Sequence, residues 1–186
     1  MDGSVSSNHN ERYDAETDTW ELMSALPTPR RLLGAACMMN GSAIYVFGGS
    51  QEDEEAWYCN AAERYAIATD SWEAVSPMPV RGACSAAAVD NQYCFVFVHQ
   101  GAVLRYDIAS DTYLKCSEGL PLDGWASFDV KPLGRRSIVV GGGAINGKSL
   151  RAMYMFDTIN FSWLKLPDLQ VGRRRTGLAV VKAQDA

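Results

Sequence analysis

An all-β fold of repeated four-stranded units is predicted by three observations: paired aromatics at fixed spacing, apolar segments ending in glycines, and Pro- or Gly-marked turns between them. The aromatic pairs are the most specific. The segments ERYDAETDTW (11–20), ERYAIATDSW (63–72), LRYDIASDTY (104–113) and MFDTINFSW (155–163) align without a gap. Each sets two aromatics seven positions apart: Tyr13 and Trp20, Tyr65 and Trp72, Tyr106 and Tyr113, Phe156 and Trp163. Successive first aromatics lie 52, 41 and 50 residues apart, a period that fits a four-stranded unit.

The glycine-terminated strands are AIYVFGG (43–49), FVFVHQG (95–101) and SIVVGGG (137–143), the middle copy having lost its diglycine at Gln100. Between the units lie LPTPRR, SPMPVRG, LPLDGW and LPDLQVGRRR, turn sequences that lead into small-residue strands such as GAACMM and CSAAAV. No helical periodicity interrupts this order.

These residues resemble the kelch family, whose repeats join a strand ending in diglycine to a spaced Tyr and Trp. The resemblance covers nearly the whole chain and implies a β-propeller, with about four blades present as part of a larger, six-bladed ring. In a kelch blade the strands run a (small residues), b (diglycine), c (Tyr) and d (Trp). The expected organisation is then strands c and d of a partial blade over 11–26, full blades over 31–78, 81–121 and 125–167, and a closing strand a over 173–183. Strand b of the partial blade is missing from this count, which points to the C-terminal portion of a longer propeller. A short chain completed by a second copy, a homo-oligomer, is the competing arrangement. The diglycines are expected where blades crowd together, and the paired aromatics in the wedge between neighbouring sheets.

With 186 residues, 47% of them hydrophobic, the chain is long enough to bury roughly two-thirds of its unfolded surface. A formal net charge of -5 gives no whole-chain attraction to nucleic acid or to an anionic membrane. The five cysteines, Cys37, Cys59, Cys84, Cys94 and Cys116, include no CxxC pair, so packed, reduced thiols are expected. Without an N-terminal leader or an apolar run of about twenty residues, a cytoplasmic location is expected.

Candidate functional residues come from the turns. The d-to-a turns share a propeller face with the b-to-c turns, and they carry Arg30 and Arg31, Arg81, and Arg173, Arg174 and Arg175, with Trp125 in the equivalent place of the third repeat. Arginine forks suit carboxylates and backbone carbonyls, so this rim is expected to receive an acidic peptide or protein. In the BTB-kelch adaptors that the chain resembles, partners bind this face, and such an adaptor recognises substrates for a cullin-type ubiquitin ligase through further upstream domains. The b-to-c loop SQEDEEAWYCN adds Glu52, Asp53, Glu54 and Glu55 as an acidic lip and Trp57 as an aromatic anchor. Arg135 and Arg136 fall in an a-to-b turn and should face the other way. Replacing Arg30, Arg31 and Arg81 with Ala is expected to weaken partner capture at unchanged stability.

No catalytic, metal or cofactor set is expected. A copper site would need His9 and His99, one on an N-terminal loop and one at a strand end. The cysteines lack zinc spacing, and Gly141 to Gly143 read as a blade glycine run rather than a phosphate loop. Substrate recognition for a ligase is therefore the leading function, with a cytoskeletal (actin-binding) module and a kelch-type sugar enzyme, mutarotase or oxidase, as alternatives.

Overall fold

The structure, a computed structural model, describes residues 8–37, 41–51, 57–99, 101–175 and 177–181. A two-stranded hairpin, β1 (Asn10–Asp14) and β2 (Thr19–Met23), precedes three antiparallel meanders. The first meander contains β3 (Gly34–Cys37), β4 (Ala43–Phe47), β5 (Ala62–Ala66) and β6 (Ser71–Ala74). The second contains β7 (Cys84–Val89), β8 (Tyr93–Val98), β9 (Val103–Asp107) and β10 (Thr112–Ser117). The third contains β11 (Ala126–Leu133), β12 (Ser137–Ile145), the two-residue β13 (Lys148–Ser149), β14 (Met153–Asp157) and β15 (Trp163–Leu166). In each meander every strand pairs with its sequence neighbour, apart from β13, which pairs on the end of β12. The chain is thus a run of propeller blades.

Strand β8 shows why these segments read as unbroken apolar runs. Its alternate residues Cys94, Val96 and Val98 pack toward the first blade, with Tyr45, Phe47, Leu104 and Tyr106. Phe95 and Phe97 face the other way, toward Val130, Ile138, Val140 and Phe156 of the third blade. A central blade is covered on both faces, so the period-2 pattern of polar residues disappears.

The aromatic pairs reach into the wedge between sheets as expected: Tyr106 packs on Tyr45 and Phe47 of the first blade, and Phe156 and Trp163 pack on Phe97 of the second. Each pair is a directly opposed cross-strand couple inside one c–d hairpin, as in Tyr13 opposite Trp20 and Tyr65 opposite Trp72. Ring centroids lie 5.3, 5.0, 5.0 and 4.9 Å apart in the four repeats. A third residue completes the motif. The hydroxyls of Tyr13, Tyr65 and Tyr106 donate to Asp18, Asp70 and Asp111 at 2.6 to 2.7 Å. Those aspartates adopt φ of 53°, 45° and 52°, the left-handed conformation that Asp tolerates in tight turns. The fourth repeat exchanges both partners together, and Phe156 stacks on Phe161 instead.

The same aspartates join neighbouring blades. Ser24 donates its N–H to Asp70 and its hydroxyl to the Asp70 carbonyl, and its own carbonyl accepts from Trp72 Nε1 at 2.9 Å. Ser76 repeats this one blade on, bonding both carboxylate oxygens of Asp111 while its carbonyl accepts from the Tyr113 hydroxyl. Backbone and hydroxyl donors therefore hold both carboxyls below the usual carboxylate range, the Ser24 N–H leading for Asp70 and the Tyr106 hydroxyl for Asp111. The third blade differs at the equivalent place, where Trp163 Nε1 is buried without a hydrogen-bond partner among the described residues.

Glycine is required where the b strands end. Gly48 and Gly49 have φ of 56° and 109°, and a Cβ on Gly48 would lie 2.5 Å from the Gly82 carbonyl oxygen. Cys59, Cys84 and Cys94 are buried free thiols, and burial pushes the Cys84 and Cys94 thiols up to about 12.

Two ends of the chain depart from a complete blade. Among the described residues β1 pairs only with β2, and a groove of about 550 Å³ lined by Met23, Leu26, Ile44, Val46, Tyr65 and Trp72 lies beside it. The expected strand a over 173–183 does not form in the part described. Arg173 makes one isolated bridge with Leu150, and 177–181 lie outside any strand. None of the described strands pairs with them, and Leu178 N–H bonds the Asp129 carboxylate of β11 instead.

A candidate partner-binding face

The turns that enter the blades are built alike. Leu32, Ser127 and Arg175 each stand two positions after Arg30, Trp125 and Arg173, with φ of 56°, 56° and 52°. A left-handed non-glycine residue costs on the order of 1–3 kcal/mol and persists only where its surroundings fix it. Here the fixing bonds come from the neighbouring turn: Cys84 N–H to the Leu32 carbonyl at 3.1 Å, and Arg175 N–H to the Ser127 carbonyl at 2.9 Å. Successive turns are thus strung together at one end of the blades.

That end holds a pocket of about 150 Å³. Leu32 comes from the first turn, Arg81 from the second, Ser127 from the third and Arg175 from the last, with Tyr58 and His99 from the b-to-c side. The d-to-a and b-to-c turns do meet, as the sequence predicts. Arg135 and Arg136 are absent from it and pair instead with Asp90 and Asp157.

Of the seven residues singled out for partner contact, two are interior. Trp125 is 0% exposed, packs on Phe128 and Tyr154, and donates Nε1–H to the Gly142 carbonyl at 2.8 Å. It anchors the core between the second and third blades rather than meeting a partner. Arg30 is 3% exposed, and its guanidinium forms a forked pair with Glu63 of β5 and a 3.3 Å bond to the Thr28 carbonyl. The acid partner lies 33 residues away, so the sequence around Arg30 gives no sign of it. Replacing Arg30 cannot leave stability unchanged, which corrects the expectation for the triple substitution.

The other five reach the surface to differing degrees. Arg31 is half-buried with Nε 3.4 Å from Ser50 Oγ, and Arg81, Arg173 and Arg174 are exposed, Arg174 donating to the Gly147 carbonyl at 2.8 Å. Trp57 is 70% exposed. The acidic lip from Glu52 to Glu55 lies outside the described residues.

His99 is the residue that sequence reasoning underrated. It follows β8 where other blades end in glycine, so the broken diglycine is itself the signal. Its ring lies 4.5 Å from Phe128, and Nε2 is 3.1 Å from Ser85 Oγ. The Ser85 hydroxyl spends its one proton on the Phe128 carbonyl at 2.9 Å. It must therefore accept from His99, which places the imidazole proton on Nε2 and leaves Nδ1 an acceptor. Burial lowers the His99 pKa to about 4, so the ring is neutral near pH 7. Because this value is depressed, unfolded chain takes up a proton first as pH falls, and stability should drop between about pH 6.5 and 4 by on the order of 3 kcal/mol. Urea melts at pH 7, 5.5 and 4.5 test this, since His99→Gln should flatten the profile over that window. An equal loss in the variant would assign the acid sensitivity elsewhere.

The comparisons agree with this architecture. A family model described as Kelch motif matches residues 31–79, covering the first full blade. Over that part of its length the chain is similar to the kelch-repeat family. Kelch-like protein 38 of Mus musculus is 28% identical over 109 residues, which are 58% of this chain and 18% of that protein. The Rattus norvegicus and Homo sapiens proteins of that name match with the same identity and coverage. The match thus spans less than a fifth of those relatives. The solved structure of YjhT superposes with a TM-score of 0.72 at 17% identity, over 91% of this chain and 61% of YjhT, a likeness of fold alone.

Proposed function

We propose that this chain is a protein-interaction module that takes an acidic segment of its partner at the turn face, and that it serves as the recognition part of a cullin-type ubiquitin ligase. One observation carries the first half: turns from every blade converge on a pocket where Arg81 and Arg175 stand beside Ser127 and Tyr58. Two guanidiniums with a hydroxyl between apolar walls suit a carboxylate on a short side chain. Trp57, largely exposed next to Tyr58, gives the partner an aromatic surface to cover. The ligase context follows from the likeness to BTB-kelch adaptors.

The test pairs Arg81→Ala with Arg175→Ala. Each charge-assisted bond contributes about 1.5–3 kcal/mol, so affinity for a labelled hexaglutamate peptide should fall at least tenfold by fluorescence anisotropy. Thermal stability should move little, because both side chains are exposed. Unchanged affinity rejects this face. For the ligase role, a longer protein that contains this chain should co-purify with a cullin; co-sedimentation with actin filaments in its place would favour the cytoskeletal alternative.

A further inference from the structure

Resting on that reading, the geometry points to Tyr58 as a phosphorylation site whose phosphate docks on Arg81 and Arg175 and shuts the pocket to acidic partners. Most of the other tyrosines are committed to structure. The hydroxyls of Tyr13, Tyr65, Tyr106 and Tyr113 are held in hydrogen bonds, and Tyr45 is buried. Tyr58 is 47% exposed and lies on the pocket wall that also carries both arginines.

Its backbone is held in place. Ser50 bridges Tyr58 on one side and Arg31 on the other, and the next residue, the buried Cys59, donates its N–H to the Gly49 carbonyl at 3.0 Å. The ring is therefore hinged at the pocket mouth. In sequence, Glu52, Asp53, Glu54 and Glu55 lie shortly before Tyr58, a charge pattern complementary to a basic kinase cleft.

In the transfer, Tyr58 Oη forms a bond to the γ-phosphorus of ATP bound to a protein tyrosine kinase. The bond from that phosphorus to the β–γ bridging oxygen breaks, ADP leaves, and the phenolic proton passes to the base of the kinase. The product carries a charge of about −1.5 to −2 with three acceptor oxygens. Guanidinium forks match those oxygens, and a phosphate seated between Arg81 and Arg175 neutralises the two cations that an acidic partner needs. Modification thus switches capture off, and a phosphatase restores it.

The folded chain is incubated with ATP, magnesium and a tyrosine kinase first shown to modify a peptide of residues 50–60. Peptide mapping should find the phosphoryl group on Tyr58, and Tyr58→Phe should abolish it. Phosphorus NMR then reads docking without any partner: the second ionisation of the phosphate is expected near or below about 5, against about 6 for a free phosphate. In Arg81→Ala/Arg175→Ala it should return toward 6. Hexaglutamate affinity should drop at least tenfold on phosphorylation and recover with phosphatase. Modification of the peptide but not of the folded chain overturns the proposal, as does a phosphate that titrates alike with and without the two arginines. Failure of the unmodified chain to bind hexaglutamate overturns the acidic-partner reading instead, and the NMR result still decides the docking.

Discussion

Arg30→Met is expected to cost about 3–5 kcal/mol of folding stability, a large share of the 5–15 kcal/mol typical of a whole domain. The substitution leaves the Glu63 carboxylate, whose side chain is 5% exposed, without the guanidinium that compensates it. Coulomb attraction between the two ions roughly offsets their desolvation, so the pair adds little net stability while either ion alone is costly. Arg30→Met/Glu63→Met should therefore regain most of the loss. Urea melts followed by tryptophan fluorescence would show it. A single variant within about 1 kcal/mol of the parent would mean that water reaches Glu63.

Trp125→Ala carries the second large effect, again about 3–5 kcal/mol. Its ring packs on Phe128 and Tyr154 within the core cluster of the second and third blades, and its Nε1–H satisfies the buried Gly142 carbonyl. Trp125→Phe should fall between the two, keeping most of the volume and losing the bond, for about 1–3 kcal/mol. Trp57→Ala is the control. At 70% exposure it should change stability by no more than about 0.5 kcal/mol. Equal losses at the two tryptophans would contradict the placement of Trp125 in the interior.

The repeating hairpins are legible in the amino-acid sequence. A Tyr, an Asp five positions on and an aromatic seven positions on specify a c–d hairpin by local geometry: the hydroxyl reaches the left-handed Asp, and the outer pair face each other across two strands. The coupled exchange to Phe156 and Phe161 shows that these positions answer to one another. The aspartate belongs to this signal, although the aromatic spacing alone is enough to reveal the repeat. Spacing also places the pairs in the wedge between blades, where Tyr106 meets Tyr45 and Phe47 and Phe156 meets Phe97, but it does not reveal the bonds by which Ser24 and Ser76 tie the blades together.

The candidate face is legible only as a set of turns. Arg30 and Arg31 are adjacent and chemically identical, but one is sealed against Glu63 and the other lies half-buried beside Ser50. Neighbouring residues of extended chain point to opposite sides, and which side is interior depends on the strand that arrives there. Trp125 occupies an arginine position of the repeat and turns inward because the third blade places Phe128 and Tyr154 around it.

By itself the sequence determined the all-β class, the repeat period, the aromatic hairpins and the glycines, because each depends on spacing along one short stretch of backbone. The tertiary structure alone decided that Arg30 and Trp125 are core, and that Tyr58, Arg81, His99, Ser127 and Arg175 share one pocket. Those outcomes depend on groups tens of residues apart, brought together when blades pack and desolvate their neighbours, and no local spacing encodes them.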